Sequence, residues 1–440
     1  MLILKNGTII TYTKNGELEN KKADILIEKN IIKKIEQNID SNKYENAKVM
    51  DLNGKFIIPG FIQTHIHLCQ VLFKSSADDM ELLDWLSKRI WPFEAMHDKK
   101  SIDLSARMGL CELISGGTTT VVDMGTLRHT EVIAENLISS GIRAFFGKTM
   151  MDHHTCPDYL KETKKDSIKN SLDLFEAYHN KGDERVKYAF APRFAISCTD
   201  DLMIETAEIC RDKNLLFHTH ASENKTEVEI VKKNSGYRNI EYFEKNNIAG
   251  ENLLLAHCIW VDDKEIEIIK KKKIKVLHCP SANLKLASGI APIPTYMKEN
   301  IDVSIGADGA PCNNNLSMFK EMRLAALIQK PIHGPTVMNA NEVFKLATVG
   351  GAKVVGLEDE IGTIEVGKKA DMAILDLNKV NSSPYVDPVS AIVYSCDNIN
   401  VESVIVDGKV LYENKIFKSI DNDGLIEKAN KALGEMIQKL

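Results

Sequence analysis

The chain has 440 residues, of which 44% are hydrophobic, and its formal net charge is −6. This composition allows a sizeable core and excludes wholesale disorder, while the acidic balance argues against a nucleic-acid partner or an anionic membrane surface. The length suits one large barrel domain with a smaller one beside it, or two to three ordinary domains.

The cysteines bear on cellular location. Nine are scattered singly, and no C-x-x-C pair occurs. An odd number of isolated thiols indicates reduced cysteines in a cytoplasmic protein rather than a disulfide framework. The N-terminus lacks the apolar segment of a signal peptide, and no uncharged run approaches the length of a membrane span.

The first predicted unit covers residues 1–58. Short apolar runs alternate there with polar residues, and Asn-Gly pairs occur at 6–7, 15–16 and 53–54. Asn-Gly between apolar runs is a hairpin signal. We therefore expect a small antiparallel β unit, the N-terminal part of a β-sandwich.

From residue 56 the pattern changes to strand-like runs separated by amphipathic helical stretches. The predicted strands are 56–63, 119–123, 142–148, 186–191, 215–220, 253–257, 274–278 and 302–306. One predicted helix begins near Ser101, and another has Asp200 as its N-cap. Eight such βα units predict an α/β protein with a (β/α)8 barrel of the TIM type over residues 59–360.

Residues 361–440 return to β patterning. A hairpin is predicted from Val401 to Val410 with its turn at Asp407-Gly408, and residues 421–440 read as a closing amphipathic helix. These late strands resemble the N-terminal unit in kind. The simplest arrangement is one β-sandwich, built from both ends of the chain, that flanks the barrel.

Polar residues stand at the ends of several predicted barrel strands. His65 and His67 end the first, His220 ends the fifth, and Asp308 follows the eighth. Alternate residues of a strand face one side, and the carboxyl ends of barrel strands carry the active site. An isolated H-x-H is more often a pair of polar residues closing a strand. Three imidazoles and a carboxylate at one end of a barrel instead predict a Zn²⁺ or Fe²⁺ site with room for water.

Three residues are candidates for proton transfer and for orienting water. Glu223, just past His220, is placed to carry a proton from a metal-activated water; the alternative is a carboxylate stabilised by a helix N-terminus. His257 ends the sixth strand and is a candidate for orienting that water. Asp308 is predicted to hydrogen-bond the water while it holds the metal.

Five motifs carry a resemblance to a known family. They are P-G-F-I-Q-T-H-I-H at 59–67, H-x-H-x-x-E at 218–223, A-H-C at 256–258, H-C-P-S-A-N at 278–283 and G-A-D-G at 306–309. The chain resembles the amidohydrolase superfamily over nearly its whole length. Within it, the chain is most similar to the aminohydrolase and chlorohydrolase branch, which includes deaminases of 5'-deoxyadenosine, methylthioadenosine, S-adenosylhomocysteine and guanine, and s-triazine hydrolases.

The resemblance implies a role for each candidate residue. One divalent ion, Zn²⁺ or alternatively Fe²⁺, is implied to bind His65, His67, His220 and Asp308, with Glu223 as the proton shuttle and His257 positioning the water. Binuclear relatives place a carbamylated lysine at the end of the fourth strand, where this chain has Arg193. A single metal is therefore expected. The implied partner is a small-molecule substrate, and homo-oligomers are common in the family.

The substrate is less closely defined. Trp85 and Glu94 match residues that contact base and ribose in adenosine-type deaminases, the alternatives being core packing and a surface acid. Arg193 resembles the purine-contacting arginine of guanine deaminases, whereas residues 307–314 resemble the adenosine and triazine types. Asn283 and His278 are further candidates for the pocket wall, the alternative for His278 being a packed strand residue. The resemblance implies hydrolytic deamination of an adenine nucleoside such as 5'-deoxyadenosine or 5'-methylthioadenosine. The alternatives are a guanine deaminase and an s-triazine chlorohydrolase or aminohydrolase.

Overall fold

The structure, a computed structural model, describes residues 1–439. Its centre consists of parallel strands in two arcs. The first arc has the order Val186–Tyr188, Arg143–Gly147, Thr118–Met124, Phe61–His67 and Asp308–Gly309. The second has the order Phe217–Ala221, Leu253–His257, Lys275–His278 and Val303–Ile305. Every pairing within both arcs is parallel.

The two arcs contact each other along both edges. Phe190 forms an isolated parallel bridge with Phe217, and Phe194 forms another with His220. At the opposite edge, the eighth predicted strand and the residues that follow it pair with different arcs. Val303–Ile305 belongs to the second arc, and Asp308–Gly309 pairs with Phe61–His67 of the first. One stretch of chain therefore joins the two arcs at the position of Asp308.

Helices connect the parallel strands and complete the α/β pattern. The α-helices of six or more residues are Lys99–Ser115, Thr130–Ser140, Lys164–Tyr178, Asp200–Asp212, Lys225–Ser235, Asn239–Lys245, Asp263–Lys272, Pro280–Lys285, Ile293–Lys298, Met318–Ile328, Ala340–Lys345, Pro388–Tyr394 and Leu425–Ile437. The prediction of Asp200 as an N-cap was wrong by one residue. The Thr199 side chain accepts from Leu202 N–H and caps that helix, so Asp200 lies in its first turn, where a carboxylate favours the helix dipole.

The run predicted as strand 56–63 serves two sheets. Phe56–Pro59 pairs with Met372–Leu375 outside the arcs, and Phe61–His67 lies within the first arc. Gly60 makes the crossing possible, because a Cβ atom there would overlap the side chain of Thr119. The Pro-Gly interruption seen in the sequence is thus the point where the chain passes from one sheet to the other.

Two further sheets lie beside the arcs. The larger has seven strands in the order Ile416–Phe417, Lys409–Glu413, Val401–Val406, Met372–Leu375, Phe56–Pro59, Thr8–Tyr12 and Leu18–Lys22. The smaller has four, in the order Ile31–Glu36, Asp24–Glu28, Leu2–Lys5 and Lys48–Asp51. Both ends of the chain contribute to the larger sheet. Side chains of the two sheets share one apolar cluster that contains Leu4, Ile25, Ile57 and Ile405.

The N-terminal unit is not purely antiparallel, so that prediction was wrong in part. Leu2–Lys5 pairs in parallel with Lys48–Asp51, and Thr8–Tyr12 in parallel with Phe56–Pro59. Only the Asn-Gly pair at 15–16 closes a hairpin. The pairs at 6–7 and 53–54 lead from one sheet to the other, because a turn signal fixes a local change of direction and not the pairing partner.

A long insert follows the first strand of the arcs. Its elements are Leu82–Trp85, a π-helical turn at Leu86–Ile90, and Trp91–Ala95. Leu82, Trp85 and Leu86 of the insert line the cavity next to the strand ends. Among residues 1–439, no helix combines the length and the apolar character that crossing a bilayer requires.

Candidate metal centre and substrate pocket

Four buried side chains converge where the two arcs meet. They are His65 and His67 of Phe61–His67, His220 of Phe217–Ala221, and Asp308, and one donor atom from each lies within 4.8 Å of the others. Asp308 Oδ1 is 3.3 Å from Nε2 of His65 and 3.3 Å from Nε2 of His67. The strand ends thus bring together residues separated by up to 243 positions, 308 minus 65.

The outer nitrogens of the three imidazoles are all engaged. Nδ1 of His67 lies 2.8 Å from the Met124 carbonyl oxygen, and Nδ1 of His220 lies 2.7 Å from that of Arg193. A carbonyl oxygen only accepts, so these Nδ1 atoms carry the proton and Nε2 is left as a bare lone pair. Nε2 of His65 is buried without a hydrogen-bond partner. Metal-binding histidines typically direct one ring nitrogen at the ion while the other donates a hydrogen bond to a protein group, and these imidazoles have that arrangement.

His218 supports the imidazole of His65. The sequence interpretation assigned no role to His218. Its Nε2 lies 2.8 Å from Nδ1 of His65, and its ring is fully buried. With Nε2 of His65 directed at the metal position, Nδ1–H of His65 donates to His218. The signal was available in the sequence, because His218 and His220 repeat the i, i+2 spacing of His65 and His67.

The electrostatics of the cluster suit a divalent cation. Burial alone would raise the pKa of Asp308, but the His65 and His67 imidazoles outweigh it and hold the pKa well below its usual range. Burial lowers the pKa of His65 to about 4 and that of His220 well below its ordinary value. At neutral pH these two imidazoles are therefore uncharged beside an ionised carboxylate, a donor set that fits Zn²⁺ or Fe²⁺.

Glu223 lies directly beside this cluster. It follows the strand Phe217–Ala221 and is 5% exposed. Its Oε2 is 3.4 Å from Nε2 of His257, and its backbone N–H donates to Glu227 Oε2 at 3.1 Å. Burial raises the pKa of Glu223 well above the ordinary value. The helix that follows begins at Lys225 with Asn224 as its N-cap, so the carboxylate lines the cavity and does not cap that helix.

His257 presents a further ring nitrogen without a hydrogen-bond partner to the same space. Its Nδ1 lies 2.8 Å from Asn283 Oδ1, and its Nε2 is buried without a hydrogen-bond partner. Nε2 is 3.8 Å from Asp308 Oδ2. His257 and Asp308 both have positive φ angles, 76° and 62°. Such backbone strain in residues other than glycine is concentrated at functional sites.

The substrate-pocket candidates lie in the cavity wall or directly behind it. Arg193 forks onto Glu94, with Nη1 2.7 Å from Oε2 and Nη2 3.2 Å from Oε1. Gln70, which the sequence interpretation did not name, donates to Glu94 Oε1 at 2.8 Å. Trp85 also lines the cavity and is 5% exposed. Glu94 is therefore a buried acid with both oxygens engaged, and not a surface one.

The cavity is narrow, with a volume of about 20 Å³. Its wall is formed by His67, Gln70, Leu82, Trp85, Leu86, Arg193, Phe194, His220, Glu223, His257, Leu286 and Asp308. Asn283 stands behind His257 and does not line it. His278 is 1% exposed, and neither of its ring nitrogens has a hydrogen-bond partner. His278 is thus packed within its strand, the alternative that the sequence left open for it.

Several curated relatives match this chain over nearly its full length. It is 38% identical to the 5'-deoxyadenosine deaminase of Methanobrevibacter smithii, over 99% of this chain and 98% of the relative. It is 32% identical to the 5-methylthioadenosine/S-adenosylhomocysteine deaminase of Dictyoglomus turgidum, over 98% of each. Both relatives bear the names of enzymes from the branch that the sequence motifs indicated.

The fold has a close counterpart among solved structures. The crystal structure of an adenosine deaminase from Xanthomonas campestris with bound zinc has a TM-score of 0.92 at 25% identity, covering 100% of this chain and 99% of that one. This likeness gives the chain a TIM-barrel-like fold. Residues 56–411, which include every proposed metal ligand, match the amidohydrolase family. The relationship that the motifs predicted is confirmed, and the chain belongs to the amidohydrolase family.

Proposed function

We propose that this protein is a metal-dependent aminohydrolase that removes the 6-amino group of an adenine nucleoside and releases ammonia. The substrates favoured are 5'-deoxyadenosine and 5'-methylthioadenosine, in line with the names of the full-length relatives. The observation that carries the proposal is the convergence of four metal donors beside the buried carboxylate of Glu223. A hydrolytic deaminase needs both an activated water and a group that moves its proton.

The proposed metal ligands are His65, His67, His220 and Asp308. A divalent ion bound by them supplies Lewis acidity, which lowers the pKa of a coordinated water toward about 7. Zn²⁺ is the proposed ion, with Fe²⁺ as the alternative. The hydrogen bonds from the outer imidazole nitrogens keep the ligand rings in place before the ion arrives.

Glu223 is the proposed proton carrier. Its raised pKa makes it a base that readily accepts a proton from the attacking water and holds it. The carboxylic acid then delivers that proton to the ring nitrogen next to the reacting carbon. His257 Nε2 and Asp308 Oδ2 are the acceptors that orient the water, since both face the same space as the Glu223 carboxylate. Glu223 then carries the hydroxyl proton to the amino group, and collapse of the tetrahedral carbon to a carbonyl expels that group as ammonia.

Arg193 and Trp85 are the proposed substrate contacts, and Glu94, which the sequence also suggested as a contact, is proposed to position Arg193. Arg193 and Trp85 line the cavity, and Glu94 stands behind the guanidinium. The guanidinium can donate to purine acceptors, which also keeps guanine as the second candidate substrate. An aromatic face such as that of Trp85 suits a nucleobase or a ribose.

A panel of substrates tests the proposal. We expect ammonia release and an adenine-to-hypoxanthine change in ultraviolet absorption with 5'-deoxyadenosine and methylthioadenosine. Guanine and a chlorotriazine, the latter followed by chloride release, are the comparison substrates. Turnover of guanine alone would overturn the adenine assignment and leave the metal-dependent hydrolase in place.

Removal of the metal is expected to abolish turnover. Dialysis against a chelator should stop ammonia release and lower Tm, because an ion that binds only the folded state stabilises it. Adding back one equivalent of Zn²⁺ should restore both. If the protein keeps its Tm and its full activity after dialysis against the chelator, the assignment of the four ligands is contradicted.

The contact between His65 and His218 gives a prediction for metal affinity. Replacing His218 with leucine removes the acceptor for His65 Nδ1–H, and loss of such a supporting partner costs about 10–100-fold in metal affinity. Competition with a chromophoric chelator measures this change. His278→Leu is the matched control, because His278 is as buried but has no hydrogen-bond partner. Equal affinities in the two variants would remove His218 from this role.

We also propose a domain arrangement finer than the TIM-barrel-like fold. In it, both arcs form one closed (β/α)8 barrel over residues 59–360, supported by the contacts along both arc edges. Residues 1–58 and 361–440 form one flanking β-sandwich, supported by the apolar cluster that their two sheets share. The closing helix is Leu425–Ile437, which packs against Lys99–Ser115.

A reducing, cytoplasmic environment is the location that we propose. All nine cysteines are free, and eight of them are buried. Buried thiols without disulfide partners are typical of proteins from reducing compartments.

A further inference from the structure

A second group of donor atoms lies beside the four proposed ligands. One atom each from His257, Cys279 and Asp308 lies within 4.8 Å of the others, and all three residues are buried. Asp308 belongs to both groups through different oxygens. Its Oδ1 faces His65 and His67, whereas Oδ2 faces His257. One carboxylate can therefore contact two cations, one on each side.

The other two donors have no strong partner of their own. Nε2 of His257 is buried and makes no hydrogen bond, while Nδ1–H donates to Asn283 Oδ1. The ring is thereby held with its free lone pair in the cavity. The only hydrogen bond of the fully buried Cys279 thiol is a weak one, 3.8 Å long, to the Leu277 carbonyl oxygen. Both groups are available to a ligand.

We propose that His257, Cys279 and Asp308 form a second cation site, which takes one soft divalent ion such as Cd²⁺ after the first site is filled. Sulfur and imidazole donors favour thiophilic ions over Mg²⁺ or Ca²⁺. The thiol proton passes to solvent as sulfur binds the ion, and water completes the coordination. The first site has no sulfur donor, so the two sites differ in the ion that they prefer.

Occupation of this site is inhibitory, a consequence that rests on the proposed function. The second ion engages His257 Nε2 and Asp308 Oδ2, the two acceptors assigned to orient the attacking water. It also lies within reach of Glu223, because Oε2 of that residue is 3.4 Å from His257 Nε2. Binding itself does not depend on the reaction and can be measured without it.

The test is a titration with Cd²⁺ of protein that already carries one equivalent of Zn²⁺. We expect one Cd²⁺ per chain with the zinc retained, by elemental analysis, and a thiolate-to-cadmium absorption band in the near ultraviolet. Ammonia release should fall by about 10²-fold or more at saturation. Displacement of zinc by cadmium without a second equivalent, or the absence of the band, overturns the site.

Two cysteine variants complete the test. Cys279→Ser should keep its zinc, lose the band and the second equivalent, and resist inhibition. Cys258→Ser is the matched control, because Cys258 is equally buried and adjacent to His257 but outside the donor group; it should behave as the unmodified protein. Cys279→Ala replaces the serine variant if circular dichroism shows that the latter is unfolded. A band that persists without Cys279 overturns the site. If the site passes but no adenine nucleoside is deaminated, only the proposed function fails.

Discussion

Replacing Glu223 with glutamine is expected to lower turnover of the adenine nucleoside by about 10²–10⁴-fold while the protein keeps its metal. Glutamine retains the size of the side chain but neither accepts the water's proton nor delivers it to the ring. None of the four proposed ligands is altered, and the backbone N–H bond to Glu227 remains. Steady-state ammonia release and metal content by elemental analysis are the two measurements.

Glu229→Gln is the matched control for this variant. Glu229 is an exposed acid on Lys225–Ser235, the helix that follows Glu223, and its replacement makes the same charge change away from the cavity. It should leave both turnover and metal content unchanged. If Glu223→Gln retains a near-normal rate, another group carries the proton. If it loses the metal instead, Glu223 supports the ion and its part in proton transfer is not separable from binding.

The metal cluster is the part of the site that the sequence predicts best. His65, His67 and His220 end strand-like runs and Asp308 follows one, and parallel strands bring their carboxyl ends to a common edge. The prediction needed only period-2 alternation and the order of the strands. The structure brings these four residues together, although only His65 and His67 are neighbours in the sequence.

Contacts between side chains from separate elements were not predictable in the same way. Glu94 and Arg193 were each singled out, but nothing in one sequence indicates that an acid on a helix of the insert and an arginine after a strand form a pair. The need for glycine at position 60 also depends on a distant residue, because the side chain of Thr119 leaves no space there for a Cβ atom. The prediction of purely antiparallel pairing in the N-terminal unit failed for the same reason, since an Asn-Gly turn does not specify which strand its neighbour will pair with.

The pair formed by Glu94 and Arg193 gives the second large expected effect, this time on stability. Both side chains are buried, with exposures of 8% and 5%. Glu94→Gln or Arg193→Met leaves one buried charge without its partner, which costs about 3–5 kcal/mol in the free energy of unfolding. The double variant removes both charges and should recover most of that loss. Denaturant unfolding of the four proteins measures the coupling.

The exposed pair of Asp84 and Lys88 provides the control cycle. Its side chains are 55% and 60% exposed, and pairs at the surface contribute less than about 1 kcal/mol. Simple additivity of the Glu94 and Arg193 variants would mean that the two charges are not coupled inside the fold.

Activity of the same double variant separates a structural role from a substrate contact. If the pair serves only to neutralise two buried charges, restoring stability also restores kcat/KM, because the cavity keeps its shape. If Arg193 donates to the purine, kcat/KM stays low in the stable double variant, since the donor is gone whether or not Glu94 is charged. We expect the second result, because Arg193 lines the cavity whereas Glu94 stands behind it.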